Sequence, residues 1–429
     1  MPDFKTVRGM RDFLPEEAKT MKHIEGKARK TAELYGYREI MTPIVESYEL
    51  LATKAGEEVR LRMFAFKDLG GRMIALRPEF TPSIARLVAT TLRNEPRPYR
   101  LFCLGSLYRY DEPQRGRYRE FWQSDFELIG SGKPEADAEI LTLTANLMEA
   151  AGLENFTFKV GHVGVLRGVM GQERLDDKAQ DAVMQLMDKK QYDDAFKAAE
   201  EAGGSKKCLT ILQELVELKG SDVFEVVAKM KKCIKDYPEA VAATNNLSEI
   251  LRLVSESGSK IKITVDAGFA RGLEYYTGMI FEVYVPELDM ALGGGGRYDK
   301  LVELFGGEPT PAIGVAHGLD RMMLGLETQN APLAKEEKKK VIIIPIREEL
   351  IGEALKIAQM LRSAGLAVEV EVMGRKMSKA LEDANRRKTN FAVMIGEREL
   401  KEGAVVVRDL TKREQSTVKI EEIADRIRS

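Results

Sequence analysis

Two stretches of the sequence concentrate residues able to do polar chemistry. Along 118–129, side chains on an extended strand alternate between faces. Arg119, Phe121, Gln123, Asp125 and Glu127 share one face, and Tyr118, Glu120, Trp122, Ser124 and Phe126 share the other. The first face is polar and charged with one aromatic ring, inside a segment otherwise built like a core strand. Burying it without partners costs roughly several kcal/mol. A polar ligand is one remedy; a solvated face of an antiparallel sheet is the other. The preceding loop adds Arg109, Arg115 and Arg117 to Arg119 within eleven residues. Guanidinium groups are rigid forked donors suited to phosphate oxygens. With Asp111 and Glu112 alongside, a solvated loop is the plainer alternative.

Other arginines stand beside glycines. Arg271 lies in DAGFARGLEYYTG, and Arg297 follows the run Gly293–Gly296. Glycine allows close backbone approach. No Gly-Lys-Ser/Thr follows the run and no βα unit surrounds it, so it is neither a P-loop nor a dinucleotide fingerprint. Phosphates, if bound, are held by arginines and metal rather than by a helix-capping loop. Glu79 and Thr81 lie in LRPEFTPS, pinned by Pro78 and Pro82. A glutamate fixed in this way can take an ammonium group; an ordinary turn carboxylate is the alternative. His23, His162 and His317 are too scattered for metal ligation or a Ser-His-Asp triad and read as packing or surface residues. Cys103, Cys208 and Cys233 form no CxxC pair, which excludes a disulfide framework and a structural zinc site.

The elements that must position these residues follow from periodicity. Segments 99–110 and 118–129 read as two antiparallel strands whose connecting loop is broken by Pro113 and Gly116. Helices are expected over 16–36 and 136–151, the second stopped by Gly152. Residues 165–259 are almost wholly helical signal, divided at Gly203-Gly204, Gly220 and Pro238, and read as a helical insertion. Strands return at 261–265 and 279–285, and 311–326 reads as a strand or turn leading into a helix. The polar stretch 327–340 reads as a linker. Beyond it, VIIIPI, AVEVEV, FAVMIG and AVVVRDL are interleaved with helical segments, implying a small α/β domain with a mostly parallel sheet.

Composition sets the frame for these elements. The 429 residues suggest about three domains. Lys and Arg number 66 against 68 Asp and Glu, so any nucleic-acid site must be a local patch rather than an overall basic field. The first residues lack an apolar core segment, so no signal peptide is expected. The run Val341–Ile346 is far too short to span a bilayer. A cytoplasmic location is expected.

Taken together, the segments resemble the histidyl-tRNA synthetase family of class II aminoacyl-tRNA synthetases over most of the chain. YGYREIMTPIVES (35–47), ending its core at Pro43, is similar to motif 1. LYRYDEPQRGRYREFWQSDFELIG (107–130) is similar to motif 2 and AIGVAHGLDRMML (312–324) to motif 3. RGLEYYTGMIFEVY (271–284) and GGGGRYDKLVE resemble the two histidine-specific signatures, and LRPEFT (76–81) a substrate-contacting turn. Lys376-Met377-Ser378-Lys379 resembles the KMSKS loop of the unrelated class I enzymes, but no HIGH-like element accompanies it.

The resemblance implies an α+β fold: an antiparallel sheet flanked by helices, with a helical insertion and a C-terminal α/β anticodon-binding domain. The expected divisions are 1–164 and 260–327 for the catalytic domain, 165–259 for the insertion, 328–340 for a linker and 341–429 for the last domain. It implies activation of L-histidine by ATP with Mg²⁺, then transfer to tRNA(His), by a homodimer with no membrane role. Arg109 and Arg271 are then the catalytic pair on the α-phosphate. ATP is held by Arg109, Asp111, Glu112, Arg117, Phe121 and Arg321, and histidine by Glu79, Thr81, Gln123, Glu127, Arg271, Tyr275 and Tyr276, with no metal held by the protein. The family pattern has Glu where Asp111 stands, leaving Asp111 and Glu112 both open as the adenine contact. Phe80 and Glu274 replace a small residue and an Asp often seen at their places. The rival expectation is a non-catalytic paralogue serving as a regulatory or histidine-sensing subunit.

Overall fold

A computed structural model describes residues 4–53, 55–331 and 339–428. The chain divides into two compact units, Met1–Leu333 and Ala334–Ser429. The expected linker at 328–340 falls mainly on 332–338, outside the described residues.

The first unit is built on a nine-stranded sheet. Its spatial order is Arg38–Glu39, Tyr99–Tyr108, Glu120–Ile129, Ala312–Gly318, Gly293–Arg297, Met279–Tyr284, Thr157–His162, Lys262–Asp266 and Lys219–Gly220. Neighbours run antiparallel except Arg38–Glu39 with Tyr99–Tyr108 and Thr157–His162 with Lys262–Asp266. The long hairpin pairs Tyr99 with Ile129 and Tyr108 with Glu120. Even-numbered residues of its return strand face the helical layer. Trp122 meets Phe13, Phe126 packs between Tyr37 and His317, and Ser124 and Thr144 hydrogen-bond the two nitrogens of His317. Helix Pro134–Ala151, with Pro134 in its first turn and Gly152 at φ +100° closing it, supplies Thr144. The odd-numbered face is left free for the cleft described below.

The sequence reading leaves out several elements of this unit, strand Thr157–His162 among them, and two others are instructive. The run Gly293–Gly296, for which no element is expected, is a central strand. Glycine weakens strands in general, but here side chains have no room: a Cβ on Gly295 would overlap the Gly314 carbonyl, and one on Gly296 would lie 2.7 Å from Ile280 Cγ2. The second is a small sheet of Val45–Ser47, Met73–Leu76 and Ala65–Lys67 over its own core of Leu51, Ala55, Met63 and Ala75. Its strands of three and four residues are too short to show periodicity.

Helices Val163–Gln172, Asp177–Asp188, Tyr192–Glu201, Lys206–Glu217, Val223–Cys233 and Pro238–Glu256 fill the segment read as an insertion. The last of them packs on Pro134–Ala151 and shares the main core.

The second unit has a five-stranded sheet in the order Ala367–Val370, Lys340–Pro345, Phe391–Ile395, Ala404–Asp409, Glu414–Lys419. Its apolar run serves two cores. Val341 and Ile343 join the Ile351–Ser363 side, and Ile342 and Ile344 the Met377–Arg386 side. The sheet is mixed rather than mostly parallel, because the last two pairings are antiparallel. Only Glu397–Lys401 separates Phe391–Ile395 from Ala404–Asp409, too little chain for a parallel crossover.

Candidate active site

Phe121, Gln123, Asp125 and Glu127 form the floor of a cleft of about 370 Å³ in the first unit. Arg119, just ahead of the strand, leaves that face: its guanidinium lies 3.6 Å over the Tyr110 ring and its Nε donates to the Asp111 carbonyl at 3.1 Å.

One part of the cleft gathers four arginines from three distant segments. Arg109 leaves the outgoing hairpin strand and donates from Nε to the Pro78 carbonyl at 2.9 Å. Arg117 stands 3.8 Å from Asp111. Arg321, in the first turn of Leu319–Thr328, donates to the carbonyls of Ala291 at 2.8 Å and Gly116 at 3.3 Å. Arg271 pairs with Glu282 at 2.8 Å. Burial pulls the Arg321 guanidinium below its ordinary pKa, and repulsion from Arg117, Arg109 and Arg271 pulls it further. Burial also opposes the charge on Arg271, but Tyr276, Glu282 and Asp188 more than offset it. Cations held this close suit a polyanion. The glycine strand gives them room, since a Cβ on Gly294 would strike the Arg271 guanidinium.

The other part is acidic and phenolic. Thr81 donates to Glu127 Oε1 at 2.7 Å, and Tyr298 donates to Glu127 Oε2. Tyr275 donates to Glu79 Oε2 at 3.0 Å, and its ring lies tilted against that of Tyr276 with centroids 4.9 Å apart. Burial pushes Glu127 up to about 7 against the hydrogen bonds from Tyr298 and Thr81, with Glu79 adding to the rise. Burial likewise raises Glu79, opposed by Arg109, Tyr275 and Arg271. Asp125 is raised well above the carboxylate range by burial and then by Glu127 and Glu79. Buried carboxylates with raised pKa values await a cation or a strong donor.

Of the residues expected from the sequence, Glu79, Thr81, Arg109, Asp111, Arg117, Phe121, Gln123, Glu127, Arg271, Tyr275, Tyr276 and Arg321 all line this cleft. Glu112 does not: its side chain is 72% exposed and pairs with Arg8. Asp111 faces the cleft and pairs with Arg62 at 3.1 Å. Arg297 turns away, donating to Asp137 at 3.1 Å and to the Ser131 carbonyl at 2.9 Å. Its neighbour Tyr298 takes the place in the cleft. Glu282 and Asp188 were also missed. Glu282 had a signal, as the one charge in an otherwise apolar strand, MIFEVY; Asp188 had none. Asp320, which accepts the Trp122 backbone N–H at 2.7 Å and pairs with Arg11, braces the start of the Arg321 helix. The helical segment reaches the rim, where Lys189 pairs with Glu58 at 2.8 Å and Gln185 with Glu274 at 3.1 Å.

Comparison with known proteins gives matches along nearly the whole chain. A family model described as histidyl-tRNA synthetase matches residues 9–322, and one described as anticodon binding domain matches residues 340–429. The histidine–tRNA ligase of Methanocaldococcus jannaschii is 43% identical over 424 residues, covering 98% of this chain and 99% of that protein. The histidine–tRNA ligase of Saccharolobus solfataricus is 39% identical, covering 100% of this chain and 99% of its own length. Among solved structures, the apo histidyl-tRNA synthetase of S. aureus superposes with a TM-score of 0.73 at 26% identity, covering 99% of this chain and 100% of that one.

Proposed function

The chain belongs to the histidyl-tRNA synthetase family, and from that premise we propose how its cleft does the work. Its activity is that of a histidine–tRNA ligase: histidine and ATP give histidyl-adenylate and pyrophosphate, and the histidyl group then passes to tRNA.

In the first step the histidine carboxylate oxygen bonds to the α-phosphorus of ATP as the bond to the pyrophosphate oxygen breaks. Negative charge builds on the non-bridging oxygens. Arg109 and Arg271 neutralise it from opposite sides, each already aimed by a partner, Pro78 and Glu282. Preorganised charge of this kind needs little rearrangement as the reaction proceeds. Arg117 and Arg321 hold the outer phosphates and the adenine face, and Phe121 stacks on adenine. Asp111 is the adenine-side carboxylate in preference to Glu112, because it alone of the two lines the cleft. Mg²⁺ enters with ATP as part of the substrate; Glu282, the carboxylate beside Arg271, is already engaged by Arg271, Lys159 and Tyr284.

Glu79, Thr81 and Gln123 take the α-ammonium and neighbouring groups. Glu127 and Tyr276, with Tyr275, read the imidazole. An analogue without ring nitrogens leaves these buried groups unpaired, which is a strong basis for rejection. In the second step the terminal ribose hydroxyl of tRNA(His) attacks the acyl carbon and AMP leaves. The working form is a cytoplasmic homodimer. Its support is a set of exposed apolar side chains near Pro43, namely Met41, Ile44, Val45, Phe66 and Met73.

The observation that carries this reading is the convergence of Arg109, Arg117, Arg271 and Arg321 beside a buried carboxylate pocket. Histidine-dependent ATP–pyrophosphate exchange tests it. Arg271→Ala should lose roughly 10²- to 10³-fold in exchange rate while keeping its circular dichroism spectrum. Wild-type exchange in that variant ends the assignment.

A further inference from the structure

We propose that Asp125 is a further anchor for the α-ammonium group of the amino-acid substrate and sets specificity for it; this rests on the histidine-ligase reading above. The starting observation is a set of hydrogen-bonding atoms without partners. Among the described residues, three buried side-chain atoms of the cleft lack one: Glu79 Oε1, Gln123 Oε1 and Asp125 Oδ1. All three are acceptors. A primary ammonium group carries three N–H donors and no acceptor, so it can serve all three at once.

Among the described residues, Asp125 Oδ1 has no hydrogen-bond partner, although Arg109 and Arg77 lie near enough to favour its charged form. Its side chain is 1% exposed. Across the hairpin it faces Cys103, whose Sγ donates to the Ile40 carbonyl at 3.1 Å. On its other side it faces Ala316, which has no polar side chain. Arg109 and Arg77 are the cations that act on it, but Arg109 donates from Nε to the Pro78 carbonyl at 2.9 Å and Arg77 to Thr42 at 2.7 Å and Ser106 at 3.2 Å. Among the described residues, a structural ion pair for Asp125 is therefore missing where one could have formed, and an unpaired buried acceptor needs a reason to persist. Gln123 lies two residues back on the same face. Glu79 is close enough to raise the Asp125 carboxyl by repulsion. Asp125 and Glu79 together offer the ammonium two carboxyl groups, whose ionised forms its positive charge would favour. Glu127, already accepting from Thr81 and Tyr298, remains for the ring.

The test separates the ammonium from the rest of the substrate. L-Histidinol keeps imidazole and ammonium but lacks the carboxylate; imidazole-4-propionate keeps imidazole and carboxylate but lacks the ammonium. Both are measured as competitive inhibitors against histidine in pyrophosphate exchange, in wild type and in Asp125→Asn. We expect the histidinol inhibition constant to rise roughly 10- to 100-fold and the imidazole-propionate constant to stay unchanged. An unchanged histidinol constant, or equal losses for both inhibitors as a purely structural role predicts, overturns the proposal. Should Asp125→Asn fail to fold, Asp125→Ser carries the same pair of measurements. Absence of histidine-dependent exchange in wild type refutes the ligase chemistry instead, so the two failures are distinguishable.

Discussion

Glu127, proposed above to read the imidazole, would trade stability for that recognition. Its carboxyl is raised from 4.5 to about 7, chiefly by burial. The unfolded chain titrates near the lower value, so the folded protein binds this proton more tightly. Ionising it costs the fold, and the cost grows as pH rises through that window and levels off above it. The shift corresponds to about 3 kcal/mol. Glu127→Gln should therefore gain stability relative to wild type between pH 5 and pH 8 while losing histidine-dependent exchange. Thermal melts of both proteins at the two pH values check this, and a pH-independent difference would sink it. Strand parity alone singles out Phe121, Gln123, Asp125 and Glu127, because a two-residue period needs no tertiary information, but it also includes Arg119, which leaves that face. Tyr298 is invisible to that reasoning. It reaches Glu127 from another strand, and only the register of the intervening Ala312–Gly318 strand brings them together.

At the scale of elements, the glycine strand and the strand beside it carry a steric function. A Cβ on Gly314 would overlap the Glu127 carboxylate. Gly314→Ala must displace Glu127 from Thr81 and Tyr298. It should raise KM for histidine at least tenfold and cost about 1–3 kcal/mol of stability. Gly352 is the contrast. It sits in helix Ile351–Ser363 with open space at its Cβ position, so Gly352→Ala should stabilise by about 0.5–1 kcal/mol. Exchange kinetics and denaturation midpoints of the two variants check both. The helices and long strands were legible because period and length agreed with each other. The glycine strand was not, since its residues are chosen by what packs against the backbone, and a run of glycines carries no period. Strand direction in the second unit was missed for a related reason: apolar pattern marks a strand, but connection length decides parallel or antiparallel.

On the scale of the whole molecule, the charge balance and the division into two units bear on the encounter with tRNA. With a net charge of −2 the chain has no long-range field to gather RNA, so affinity must come from local patches whose phosphate contacts release counterions. The second unit has its own apolar cores, drawn entirely from residues beyond 340, and the residues lining the cleft all lie in the first. Removing residues 330–429 should therefore leave the core beneath the cleft intact. The truncated protein should keep histidine-dependent pyrophosphate exchange near the full-length rate, because that step needs no RNA. Its kcat/KM for charging tRNA(His) should fall, since contacts made by the anticodon-binding unit are gone. In the full-length protein KM for tRNA should climb steeply with added salt, and the truncated protein, with fewer phosphate contacts, should show a shallower dependence. Measuring exchange and charging for both proteins across a salt series separates the contributions. Normal charging by the truncated protein, or equal salt slopes, would show that the second unit makes no phosphate contacts that matter.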